Sequence, residues 1–219
     1  FFEVAGDEIN EVAVGPVHAG IIEPGHFRFQ CHGEKVFNLE ISLGYQHRGV
    51  EKALLGPPGL KKLRLAEVIA GDSSTAHACA HCQALEALAD CHVPARAEAI
   101  RGVAMELERI ANHVGDLGAL AGDVAFLPTA SFCGRIRGDF LNATADICGN
   151  RFGRGLLRPG GVNFDLSPES CSALMRKIDD AYSDTDNAVT LMLESPSVLS
   201  RFEDTGKVDD AVADALGLV

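Results

Sequence analysis

The amino-acid sequence predicts an α+β protein, mainly α-helical, with a helical bundle as its core and a small antiparallel β-sheet at its N-terminal end. Three observations carry that prediction. Residues 1–45 run in short extended segments that alternate apolar and polar side chains, as in HFRFQCHGEKVFNLEISLGY. Beyond Gly59 the apolar residues recur at steps of three and four, the period of an amphipathic helix. Glycine and proline gather at Gly56-Pro57-Pro58-Gly59 and in the FGRGLLRPGG run, where neither helix nor strand continues.

Taken in order, Phe1 to Tyr45 reads as a β-meander turning at His32-Gly33-Glu34 and packed on a helical domain that spans residues 46–219. HRGVEKALLG has helical character and stops at the Gly-Pro cluster. Leu60 to Ile69 is a short amphipathic run. Ser73 or Ser74 can cap the next helix, which continues through HACAHCQALEALAD, because a serine oxygen accepts one of the free first-turn N–H groups. Pro94 suits a first-turn position and opens the longest helix, with Ile100, Val103, Leu107, Ile110, Val114 and Leu117 on one face. A further helix from about Ser131 to Gly149 sets Ile136, Phe140, Ala143 and Ile147 together. Ser167-Pro168-Glu169 caps another that ends near Glu194-Ser195-Pro196, and VDDAVADALGLV reads as a helix. A first segment that already reads as strand and a last one that reads as helix lead us to expect a piece of a longer polypeptide, with the helical domain truncated at its C-terminal side.

Composition narrows the function. The chain has 219 residues, 47% apolar and 23% charged, enough to bury a sizeable core without disulfides. No window reaches the roughly 18 uninterrupted apolar residues of a spanning helix. A net charge of −12 argues against nucleic acid or an anionic lipid surface as the main partner. The opening FFEVAGDEIN has no basic flank before an apolar run, which favours the cytoplasm. Seven cysteines, an odd number, fit reduced thiols better than a disulfide framework.

Several residue groups invite chemistry. His77, Cys79, His81, Cys82, Cys91 and His92 form the most metal-like cluster, with His77 and His81 four apart on one helix face. A zinc site and plain core packing both stay open, since buried helix faces use cysteine as a small hydrophobe. Glu23, between Ile22 and Pro24, is either an exposed turn carboxylate or a buried one raised into the proton-transfer range. His18 and His113 read as hydrogen-bonded structural histidines. Arg135, Arg137, Arg151, Arg154 and Arg158 form either a solvated face with local ion pairs or an interface. The glycines among them allow close backbone approach; no P-loop or dinucleotide fingerprint is present.

A resemblance rests on linked blocks in order. They are GPVHAG…EPGHFRF from Gly15 to Phe29, GE-x-V…LGYQHRGVEK from Gly33 to Lys52, and AHACAHCQALE from Ala76 to Glu86. VPARAEAIRGVAMELERIANHVGDLG and RIRGDF…GNRFGRGLLRPGGV continue them, so the likeness covers nearly the whole chain. Together these blocks resemble the large subunit shared by nickel–iron hydrogenases and the quinone-reducing subunit of respiratory complex I. EPGHFRF is more similar to the membrane-bound, formate-hydrogenlyase-type hydrogenases than to true complex I.

The resemblance implies a first metal motif, R-x-C-G-x-C-x-x-x-H, whose positions here are Val68, Ala70, Gly71, Ser73 and His77. Neither a methyl group nor a protonated hydroxyl replaces a soft thiolate, so no nickel–iron centre and no other cofactor is expected in this chain. The family's second cysteine pair falls beyond Val219. Complex I reuses the emptied cavity for a quinone headgroup with the help of a tyrosine; Leu65 stands near that position, which weakens quinone while leaving it open. Carried over residue by residue, the resemblance makes Glu23, His26, Arg28, Asp72 and His77 the candidate catalytic residues, with Glu23 matching the family's proton-relaying glutamate. The partners it implies are an iron–sulfur small subunit that brings electrons, other peripheral-arm subunits and a membrane arm, on the cytoplasmic side of the cell membrane. A non-catalytic scaffold between redox input and membrane arm is the alternative of a different class, and a zinc-binding protein a weaker one.

Overall fold

The computed structural model of the chain describes residues 3–18 and 23–218, and two compact units divide between Gly56 and Pro57. In the first unit, β1 (Asn10–Val14), β2 (His26–His32) and β3 (Lys35–Ser42) form an antiparallel sheet in that order. The β2–β3 hairpin closes at the expected place, His32 pairing with Lys35 across Gly33, whose φ of +57° is one that glycine adopts without steric cost. The pairing sets Val12, Phe29 and Leu39 in one row, and Ala13, Arg28 and Glu40 in the next, on the opposite face. The short helix α1 (Val50–Leu54) belongs to this unit.

The second unit is helical. It comprises α2 (Leu60–Ala66), α3 (Ser74–Leu88), α4 (Ala95–Asp123), α5 (Leu127–Cys148), α6 (Pro168–Leu193), α7 (Pro196–Phe202) and α8 (Asp210–Leu216). A two-residue hairpin, β4 (Leu157–Arg158) with β5 (Gly161–Val162), sits inside the glycine-rich run. The expected α4 stripe faces inward: Ile100, Leu107 and Val114 are buried, and Val103, Ile110 and Leu117 pack against them. On α5, Ile136, Phe140, Ala143 and Ile147 are buried as expected. That helix starts at Leu127, ahead of the expected Ser131, because Pro128 occupies its first turn, where a missing N–H is harmless.

Only three residues separate α4 from α5, which makes the two antiparallel neighbours. A Cβ at Gly118 would sit 3.0 Å from the Cβ of Cys133, so glycine is what lets the two backbones approach. Across the α5–α6 contact, Thr129 donates to the Ala188 carbonyl at 2.9 Å, while Lys177 pairs with Asp146 near the other end. Cys79, Cys82, Cys133 and Cys148 all lie in this core. Ser167 caps α6 as expected, accepting from the Ser170 N–H at 3.1 Å. Ser73 precedes α3, but its side chain accepts no cap hydrogen bond; the oxygens that accept at this end come from Glu108 on α4.

Candidate functional site

The loop onto which the sequence resemblance maps a metal motif runs from Val68 to Ser73 and leads into α3, and four side chains hold it and the start of that helix within the second unit. Glu108, on α4, accepts the Thr75 N–H at 2.6 Å and the Ala76 N–H at 3.0 Å, one amide per carboxylate oxygen. Asn112, one turn further along the same face of α4, donates to the Asp72 carbonyl at 2.9 Å. From α5, Arg137 donates to the Asp72 carboxylate at 2.8 Å. His77 closes the first turn of α3 on itself: its Nδ1 lies 2.8 Å from the Ser73 carbonyl, which fixes Nδ1 as the protonated nitrogen. Burial pushes the Glu108 carboxyl above its ordinary value, and the amides of Thr75 and Ala76 and the charge of His77 oppose that shift without cancelling it.

The glycine-rich run meets this loop from the other side. Gly153 has φ +68°, and a Cβ there would lie 2.4 Å from the Thr75 hydroxyl oxygen, so the close backbone approach expected of these glycines is realised. Glu67, with only 2% of its side chain exposed, accepts from Arg64 at 2.7 Å and from the Gly155 N–H at 2.7 Å. Between these elements lies a cavity of about 10 Å³, bordered by Asp72, Thr75, Glu108 and Arg137, room for about one water. On the outer side of Glu108 a groove of about 420 Å³ runs past Ser73, His113 and Asp116.

Of the five residues expected at the site, Asp72 and His77 therefore flank one loop of the second unit, and the other three belong to the first. Glu23 is exposed in the bend before β2. His26 opens β2, its Nδ1 at 3.3 Å from the Val14 carbonyl. Arg28 is engaged on the sheet face: it grips both oxygens of Glu11, at 2.6 and 2.5 Å, and reaches Glu40 at 3.0 Å. Those carboxylates hold its guanidinium firmly in the charged form. At the positions that the resemblance aligns with thiolates stand Ala70, in a bend, and Ser73, half-buried.

The arginine group divides among internal partners. Arg135 pairs with Asp139 and Asp184, Arg137 with Asp72, and Arg154 reaches the Ser74 hydroxyl at 3.4 Å. Among the described residues no three His, Cys, Asp or Glu side chains come together as a metal set. Burial raises the Cys82 thiol to about 11 and the Cys79 thiol in the same direction, the behaviour of core residues rather than ligands.

Sequence reading missed the most buried charge pair. Arg101, fully enclosed, meets Glu86 at 2.6 and 3.0 Å and donates further to the carbonyls of Arg158 and Gly161, while Glu86 accepts the Gly160 N–H at 2.7 Å. This pair clamps the β4–β5 hairpin onto α3 and α4. A signal existed: Arg101 falls on the buried stripe of α4, one residue after Ile100, where a charge needs a partner.

The loop from Val68 to Ser73 offers no thiolate and sits in a helical bundle. Comparisons with known proteins bear on the chain as a whole. The family model described as the 49 Kd subunit of respiratory-chain NADH dehydrogenase matches residues 123–219. Hydrogenase-4 component G of Escherichia coli is 28% identical over 214 residues, covering 97% of this chain and 39% of that protein. NADH-quinone oxidoreductase subunit 4 of Thermus thermophilus is 30% identical over 211 residues, 96% of this chain and 52% of that protein. In a solved structure of the membrane-bound sulfane sulfur reductase, an archaeal respiratory membrane complex, one chain matches with a TM-score of 0.85 at 19% identity, over 94% of this chain and 56% of that one. The chain spans about half the length of the curated relatives it matches. The chain is thus similar both to hydrogenase subunits and to subunits of NADH-quinone oxidoreductases. No helix among the described residues is long and apolar enough to cross a membrane.

Proposed function

We propose that the chain serves in a membrane-associated oxidoreductase complex related to complex I and the membrane-bound hydrogenases. In this reading the loop from Val68 to His77 is what remains of the site to which an adjacent iron–sulfur subunit delivers electrons, on the cytoplasmic face of the membrane. The observation that carries it is the anchoring of that loop by Glu108, Asn112 and Arg137 although both thiolate positions are filled by Ala70 and Ser73. A nickel–iron centre does not fit this donor set, because the loop offers a methyl group and a hydroxyl where soft thiolates are required. The cavity beside Asp72 holds about 10 Å³, far less than a quinone headgroup fills, so no quinone step is assigned to it. Glu23, His26, Arg28, Asp72 and His77 are then polar and protonatable residues of the subunit.

Tagging the chain at its chromosomal locus and purifying it in mild detergent tests this reading. Co-purification with an iron–sulfur protein and membrane subunits is expected; a chain that purifies alone from its native host refutes it. A scaffold role is favoured by one specific observation, the pairing of Arg28 with Glu11 and Glu40 and of Asp72 with Arg137, which leaves those charges committed to structure. Unchanged turnover of the complex carrying Glu23→Gln supports the scaffold, and loss of turnover opposes it.

A further inference from the structure

Glu108 lies outside the five residues named for the site, yet it is the only carboxylate that the described residues show bonded to the amides of the loop's exit into α3. It borders both the water-sized cavity beside the Asp72–Arg137 pair and the open groove at His113 and Asp116. We propose that Glu108 is a proton-exchanging positioning residue: ionised, it clamps the first turn of α3, and protonated, it frees one amide while passing its proton between groove and inner cavity. The idea rests on reading this loop as the site.

The physical basis is a competition within one side chain. The free N–H groups at the start of α3 and the helix dipole favour the carboxylate, whereas enclosure between α3, α4 and α5 favours the acid. Enclosure prevails, so the carboxyl sits above its ordinary value while still holding two amides. When it takes a proton, one oxygen becomes a hydroxyl and its acceptor strength falls. The amide facing it then loses a charge-assisted partner. Atoms balance simply: a proton leaves water in the groove for a carboxylate oxygen, then leaves that oxygen for water beside Asp72, and no electron moves. The titratable and charged groups around Glu108 are His77 from α3, Asp72 from the loop, Arg137 from α5, Arg151 from the segment after it, and His113 and Asp116 along the groove on α4. On α4 itself, Glu106 and Arg109 neutralise one another in an exposed pair.

Isotope-labelled whole chain provides the test. The carboxyl carbon of Glu108, assigned by its disappearance in Glu108→Gln, is followed against pH together with hydrogen-exchange protection at Thr75 and Ala76, corrected for intrinsic rates. The carboxyl is expected to titrate above the ordinary 4.5, and protection at one of the two amides is expected to fall at least about tenfold with it, as befits loss of a hydrogen bond to a charged group. Glu108→Gln removes the step; Glu108→Asp, which keeps the charge, retains a step. Titration at or below 4.5, protection that ignores the titration, or a step that persists in Glu108→Gln overturns the proposal. If Glu108→Gln does not fold, the carbon is assigned instead by its disappearance in Glu108→Asp, and the wild-type carbon and amide titrations decide. Should the chain purify without partners while this step is present, the oxidoreductase reading falls and the proton group stands.

Discussion

Removing the Arg101 guanidinium is the perturbation whose consequence the structure determines most sharply. Arg101 and Glu86 are 0% and 7% exposed, and the arginine also satisfies the carbonyls of Arg158 and Gly161. In Arg101→Met the methylene volume survives, but Glu86 keeps a buried charge with only the Gly160 amide to answer it. Stripping one partner from a buried pair costs about 3–5 kcal/mol. At roughly 2–4 °C per kcal/mol for a chain of this size, the melting temperature should drop by about 10 °C. Urea unfolding followed by helical circular dichroism, extrapolated to water, gives the free energy directly. The double variant Glu86→Gln/Arg101→Met should recover at least about 1 kcal/mol over Arg101→Met, because it removes the stranded charge. A loss under about 1 kcal/mol for Arg101→Met, or a double variant less stable than the single, refutes the reasoning.

Further outcomes follow from the same geometry. Arg101, first, and then the Gly160 amide hold the Glu86 carboxyl below its ordinary 4.5, so its stabilisation is present above that value and disappears as pH falls through the native one; the gap between wild type and Arg101→Met should close in acid melts. Glu108 has the opposite sign: its raised pKa contributes stability below 4.5 that is lost as pH rises, and Glu108→Gln should flatten that part of the profile. A thiol reagent should label exposed Cys91 and Cys171 rapidly, and Cys79, Cys82, Cys133 and Cys148 only on unfolding, as counted by mass spectrometry. Gly153→Ala combines a left-handed backbone with a Cβ at 2.4 Å from the Thr75 hydroxyl. It should cost about 2–3 kcal/mol, from roughly 1–2 for the backbone and the rest for displacement, read in the same urea experiment.

What could be read from the residues and what could not divide along a physical line. The α4 stripe, the α5 face and the Gly33 hairpin are local patterns, and they appear in the structure where periodicity and turn chemistry put them. The sequence offers the near neighbours Ser73 and Ser74 as caps of α3, but the Thr75 N–H goes to Glu108, 33 residues away, because a carboxylate competes better for those amides than a serine hydroxyl. The role of Arg101 is illegible in the sequence for a related reason: charged residues break an apolar pattern, and only the tertiary meeting with Glu86 explains one on the buried stripe. The cysteine–histidine cluster looked metal-like as a string of letters, yet Cys79 and Cys82 lie in the helical core. That Ala70 and Ser73 offer no thiolate is a property of the residue types and needs no structure. That Asp72 is held by Arg137 and Asn112 does need one, as it depends on how α4 and α5 pair.

The most direct test of the central claim is the metal content of the chain isolated from its native host with whatever accompanies it, by elemental analysis and electron paramagnetic resonance. Stoichiometric iron with the signature of iron–sulfur clusters carried by a partner, and no nickel, is the predicted result. Stoichiometric nickel bound to this chain, or a preparation free of iron, contradicts the account.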